Sequence, residues 1–209
     1  MTDTTRVESP QTITTGRVEA FIDGVFAIAI TLLIIEIRPP QPSDHLGHEL
    51  LLLWPSYLGY IVSFLITGVV WLNHHLMFRH IVRADRILLV LNLLLLMNVA
   101  FLPFPTAVLA DALARGASER VAVMLYGGTL VVGGVLFNAV WLYAARGHRL
   151  LGGHLTPAQA RRITLSFLPG PAAYGLAAIV GLAIPAAGLV LYVVLLLAYL
   201  MEVPLRAKT

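Results

Sequence analysis

The sequence predicts an all-α, polytopic transmembrane bundle of six helices with both termini in the cytoplasm. Three observations lead there. Of 209 residues, 58% are hydrophobic and only 12% are charged, against about 25% charged residues in a soluble domain. The apolar residues are gathered into runs long enough to cross a hydrocarbon core about 30 Å thick, which takes roughly 20 residues of helix. The basic residues are distributed unevenly between the two sides that these runs define.

The predicted spans are residues 18–37, 50–72, 87–109, 121–145, 163–184 and 185–201, the last two divided at Pro185. With six crossings, eleven of the fourteen Arg and Lys residues fall on one side: Arg6, Arg17, Arg79, Arg83, Arg86, Arg146, Arg149, Arg161, Arg162, Arg206 and Lys208. Arg38, Arg115 and Arg120 fall on the other. Short cytoplasmic loops carry the excess of Arg and Lys, so this asymmetry puts both termini inside; an odd number of spans would destroy it. Residues 1–16 read as a polar tail without the layout of a cleaved signal peptide. Residues 17–203 read as a single membrane domain and 204–209 as a C-terminal tail. A net charge of +3 carried in short loops fits membrane orientation and gives no reason to expect nucleic-acid binding. The chain has no cysteine, which removes disulfides, thiolate metal ligands and cysteine nucleophiles.

An ionisable residue within a span is costly to place there and is a functional candidate for that reason. As bounded above, only the first span carries carboxylates: Glu19, Asp23 and Glu36. Glu36 sits beside Arg38 at the outer end, and Asp23 is the deepest. Glu19, four residues before Asp23, is a like-charged neighbour on the same helix face, so Asp23 needs a partner on another helix. The inner ends of the second and third spans offer Trp71, Asn73, His74, His75, Asp85 and Asn92 at similar depth. Indole, amide and imidazole N–H groups are the donors a partly buried carboxylate requires. Such a group reads equally as a structural latch between helices or as part of a gate. Adjacent His74 and His75 project about 100° apart on a helix, and no His-x-x-x-His pair exists, so neither a metal nor any other cofactor is expected. His148 and His154 lack a nucleophile or an acidic partner pattern, and no enzyme activity is expected.

Further along the first span, Ile28, Thr31, Leu32 and Ile35 fall at i, i+3, i+4 and i+7 and share one stripe. Spacing alone reads such a stripe as helix packing, and Gly24, Ala27 and Ala29 fit close helix approach in the same way.

The first helix also carries a long and unusual motif. Arg17-x-x-x-Phe21-x-Asp23, followed by Gly24 through Leu33, resembles the signature helix of the endolysosomal potassium-channel family, specifically its prokaryotic six-helix members. Trp71-Leu72-Asn73-His74-His75, Arg83-Ala84-Asp85, Asn92 and Leu102-Pro103-Phe104 agree with it, over about the first 110 residues. The resemblance implies a potassium-permeable cation channel in the cell membrane, assembled as a homotetramer whose four first helices line the pore. It implies that Ile28, Leu32 and Ile35 form the constriction and that Thr31 contributes to ion selectivity. It ties the motif residues Arg17, Phe21 and Asp23 to Trp71 and to His74 or His75. The family has Ser before the motif aspartate, where this chain has Ile22. A ring of isoleucines at Ile28 would dewet and block ions, and Glu36, Asp44 and Glu49 would concentrate cations at the outer mouth. No Thr-Val-Gly-Tyr-Gly filter and no arginine ladder is present. The competing reading is a proton-coupled carrier using Asp23 and a neighbouring His, which would call for inverted repeats and a broken helix at mid-membrane.

Overall fold

The computed structural model describes residues 15–153 and 155–206; the expected tails, 1–16 and 204–209, lie largely outside them. Its helices are α1 (Thr15–Ile35), α2 (Leu46–Leu52), α3 (Trp54–Phe78), α4 (Arg86–Phe101), α5 (Pro103–Arg115), α6 (Glu119–Ala145), α7 (Pro157–Phe167), α8 (Pro169–Ala183) and α9 (Pro185–Arg206). No strand occurs among the described residues. Five helical stretches are long and apolar enough to span a membrane: α1, α3, α4 with α5, α6, and α7 with α8. The shorter apolar segment Pro185–Met201 of α9 completes the set of six. The chain is thus an all-helical, multi-pass membrane protein.

Prolines set the breaks. Pro103 has no N–H and cannot continue the ladder of α4, so the third span, expected as one helix, is divided at Leu102. Pro169 ends α7 in the same way at Leu168. Ile184 adopts an extended conformation (φ −133°, ψ 94°) just before Pro185 and reverses the chain between α8 and α9. Close behind that turn, a Cβ on Gly188 would lie 2.6 Å from the Gly181 Cα, so glycine is required for the two helices to cross there.

The second span runs to Phe78 rather than ending at residue 72. No proline or glycine stands between residues 69 and 78, and Asn73 returns its side-chain amide to the Val69 carbonyl (2.9 Å), so the polar run stays helical. Two apolar clusters hold the bundle. One gathers Ile22, Phe26, Met77, Phe78, Leu88 and Trp141 from α1, α3, α4 and α6. The other gathers Ile66, Tyr126, Ala177, Tyr192 and Leu196 from α3, α6, α8 and α9.

Several buried polar groups are paired across helices, as a lipid environment without water favours. The Tyr126 hydroxyl meets Ser63 (2.9 Å), Ser63 meets Thr106 (2.8 Å), and Thr106 donates to the Leu102 carbonyl at the Pro103 break (2.9 Å). Trp141 donates its indole N–H to Thr164 at 2.8 Å. The two arginine-bearing loops clasp each other: Val82 N–H bonds the Leu150 carbonyl and Gly152 N–H the His80 carbonyl, each at 3.0 Å. These loops therefore lie at one end of the bundle, which fixes the same-side placement that the charge asymmetry requires.

Candidate functional site

The site is built on α1, which has two apolar faces with different fates. Ile22, Phe26, Ala29 and Leu33 are buried against α3 and α4. The opposite face is uncovered in the single chain: Phe21 is 56% exposed, Ile28 61%, Leu32 39% and Ile35 69%. Gly24 and Thr31 are exposed on this side as well; Asp23 is exposed too, but lies about 140° around the helix axis from Ile28. Ile22, standing where the family has Ser, is only 2% exposed and packs in the first cluster. Thr31 donates its hydroxyl proton to the Ile28 carbonyl (2.8 Å), which leaves the oxygen lone pairs free to accept.

Among the described residues, one side-chain hydrogen bond ties the rotation of α1 to α3. Trp71 donates its indole N–H to Asp23 Oδ1 at 2.8 Å. His75 does not bond the carboxylate; it is exposed and stacks on the Trp71 ring at 6.1 Å between centroids. Arg17 is exposed at the start of α1 and forms no ion pair among the described residues.

The residues expected to share one network are divided among separate clusters. His74 turns away from Asp23 into the core, 2% exposed, with Nε2 2.9 Å from Asn92 Oδ1. Asn92 donates its amide to the Leu88 carbonyl, so its oxygen faces His74 and the imidazole carries its proton on Nε2. The His74 ring stacks on Phe78 at 4.6 Å, with Phe26 of α1 at 5.9 Å. A hundred degrees of helix rotation separates it from His75, which is why only one of the two reaches the interior. Asn73 faces neither His74 nor Asp23 but a cavity in the bundle.

Asp85 belongs to a third cluster. It caps α4 by accepting from the Leu88 N–H (2.9 Å), takes the Tyr143 hydroxyl (2.8 Å) and pairs with Arg149 (3.1 Å). Arg149 also lies over the Tyr143 ring at 4.5 Å. Partial burial pulls the Asp85 carboxyl upward. The Leu88 amide, the Tyr143 hydroxyl and the Arg149 charge outweigh it and hold the group below the usual carboxylate value. A depressed folded-state pKa contributes stability that is complete above the unfolded pKa and lost as pH falls through the folded one. Asp85→Asn should therefore lower thermal stability at neutral pH, and the gap to the native protein should close in acid. A gap that persists unchanged in acid would show that charge is not what Asp85 contributes.

Tyr143 and Arg149 were not legible as site residues: Arg149 reads only as an orientation marker, and no spacing links Tyr143 to Asp85. Among the described residues, no group of three or more His, Cys, Asp or Glu is placed to hold a metal.

Residues 17–103 match the family model described as the endosomal/lysosomal potassium channel TMEM175. A potassium channel of Streptomyces collinus is 44% identical over 178 residues, covering 84% of this chain and 85% of the relative. A potassium channel of Chamaesiphon minutus is likewise 44% identical, over 80% of this chain and 84% of its own length. The crystal structure of a lysosomal potassium-selective channel TMEM175 homolog from Chamaesiphon minutus superposes with a TM-score of 0.82 at 38% identity, over 90% of this chain and 97% of that one. Identity of this level over most of both chains, together with one shared fold, makes this chain a member of the TMEM175 family.

Proposed function

We propose that the protein is a potassium-permeable channel, assembled as a homotetramer, with the uncovered face of α1 lining the ion path. The observation that carries this reading is the contrast between the two faces of α1. The Trp71–Asp23 bond helps fix a rotation that buries Ile22, Phe26, Ala29 and Leu33 and leaves Ile28, Thr31, Leu32 and Ile35 uncovered. Four such helices around an axis would present rings of Ile28, Leu32 and Ile35 as an apolar constriction, with Thr31 hydroxyls between them. Potassium sheds hydration more easily than sodium, so hydroxyl oxygens there would give it a modest preference. The relatives' description as potassium channels supports the permeant ion and argues against an enzyme. The continuous helix of α1 supports a pore over a carrier, which would want an interrupted helix at mid-membrane. The reading places both termini in the cytoplasm and the protein in a prokaryotic plasma membrane.

Cross-linking tests the assembly. Because the chain has no cysteine of its own, Ile28→Cys provides one unique thiol per copy. Oxidation should join neighbouring copies through α1 at high yield, and native mass analysis of the purified protein should give four chains. A monomer that still carries potassium into liposomes would end this reading.

A further inference from the structure

A basic patch lies where α6 ends and α7 begins. Between residues 146 and 168 the chain carries Arg146, Arg149, Arg161 and Arg162 and no acidic residue. Asp85, from the facing loop, neutralises Arg149 at 3.1 Å. Arg146, Arg161 and Arg162 are exposed and form no ion pair among the described residues.

The packing of α7 on α6 brings these three arginines together. Trp141 bonds Thr164 (2.8 Å), and three residues away in opposite senses Asn138 bonds the Phe167 carbonyl (3.2 Å), so the two helices run antiparallel. One further step of three residues sets Ala144 level with Arg161, which places Arg146 beside Arg161 and Arg162. The start of α7 is closed by a capping box in which Thr156 accepts from the Gln159 N–H and Gln159 from the Thr156 N–H. An anion here would therefore be held by arginine side chains rather than by the helix amides.

Below the patch the surface turns apolar. Arg161, Leu165 and Leu168 fall at i, i+4 and i+7 and share one face. The two leucines are 57% and 51% exposed, and the exposed Leu176 and Ile179 of α8 continue the apolar surface. α7 packs mainly on α6 and α8, so this face is separate from the uncovered face of α1.

We propose that this face of α7 binds an anionic phospholipid, its phosphate paired with Arg161 and Arg162 beside Arg146 and an acyl chain lying along Leu165 and Leu168. The guanidinium fork matches phosphate oxygens two at a time, and the long arginine stem lets the charge sit at headgroup level above an apolar stripe. Charge and stripe together select the occupant. A soluble phosphate would meet the arginines and leave the leucines bare. A zwitterionic lipid would cover the leucines and bring another cation to arginines that have no counter-charge.

The test is native mass spectrometry of the full chain, purified in detergent, stripped of lipid and offered phosphatidylglycerol and phosphatidylcholine with identical acyl chains. Phosphatidylglycerol should be retained about tenfold more tightly, since each arginine near an anionic headgroup contributes severalfold. Replacing both Arg161→Gln and Arg162→Gln should bring the two lipids close to parity. Arg120→Gln, which removes an exposed arginine at the other end of α6, should leave the preference unchanged. Glycerol 3-phosphate, which has the phosphate without the chains, should not displace the bound lipid. Equal retention of the two lipids by the native protein would overturn the proposal, as would an equal loss of preference in Arg120→Gln, which would make it a general effect of charge. Displacement by glycerol 3-phosphate would overturn it in favour of a soluble anion, and a preference that survives the double replacement would place the lipid elsewhere. The readout is lipid retention and not flux, and the native comparison needs no variant, so neither the pore reading nor a misfolded variant bears on the outcome.

Discussion

Ile28→Asn should raise potassium flux through the reconstituted protein roughly tenfold, the equivalent of about 1.4 kcal/mol off the barrier to permeation. Ile28 is 61% exposed in the single chain, so an amide there does not have to be buried unpaired within the bundle. The cost to the fold of one copy is small. In the proposed tetramer the same change would replace an apolar ring that repels water with one that holds it, and wetting is what an apolar constriction denies to ions. Stability and flux thus move in opposite senses under the two readings of this residue. Were Ile28 a packing residue between copies, the amide would cost about 1–3 kcal/mol and the assembly would weaken without any gain in flux. Thr31→Val is the companion in the same liposome assay. It removes the hydroxyl, keeps the shape, and should lower the preference for potassium over sodium more than the total conductance. Lower flux in assembled Ile28→Asn protein, with an unchanged preference in Thr31→Val, would move the ion path away from this stripe.

The stripe itself could be read from spacing; which side of α1 it occupied could not. In a soluble helix the contrast between polar and apolar residues marks the buried face. In α1 both faces are apolar, with Ile22, Phe26 and Leu33 on one side and Ile28, Leu32 and Ile35 on the other. The side chains therefore carry no such contrast, and only packing against α3 and α4 distinguishes the faces. The span count was legible because it depends on summed hydropathy, and arginine placement grouped the two loops that the structure brings into contact. The breaks at Leu102 and Leu168 are marked in the sequence by Pro103 and Pro169 but lie within long apolar runs.

The polar residues were legible by type and misleading by partner. Trp71, His74 and His75 do lie in the last two turns of α3, Asp85 caps α4 and Asn92 stands about two turns into it, yet depth alone does not decide which of them meet. Trp71 faces α1 and reaches Asp23, while His74, three residues on, faces α4 and reaches Asn92. Asp85 is drawn off altogether by the free amide at the start of α4 and by Tyr143 and Arg149, residues about sixty positions away in sequence. Rotation about a helix axis decides all three partnerships, and a sequence of nearly uniform hydropathy states that rotation weakly.

Trp71→Phe should weaken the assembled protein more than Asp23→Asn, and both should reduce flux. The 2.8 Å bond between the Trp71 indole and Asp23 Oδ1 is the polar contact by which α3 holds α1 in register. Asparagine keeps an oxygen in the same place and can still accept from the indole, so Asp23→Asn loses only the charge-assisted part of the bond. Because Asp23 is exposed in the single chain, that part is small, about 1 kcal/mol or less. Phenylalanine removes the donor outright and takes with it part of the ring surface that stacks on His75. The carboxylate then loses the donor that ties it to α3. The loss expected is about 1–3 kcal/mol per copy. It should appear as a lower temperature for dissociation of the assembly in detergent, and α1 should then turn more freely. A freely turning α1 no longer presents Ile28, Thr31 and Leu32 in one orientation, so potassium flux should fall and the scatter between individual channel openings should grow. If Trp71→Phe leaves dissociation temperature and flux both unchanged, α1 is held by the packing of Ile22, Phe26 and Leu33 alone, and the Trp71–Asp23 contact has no part in setting the ion path.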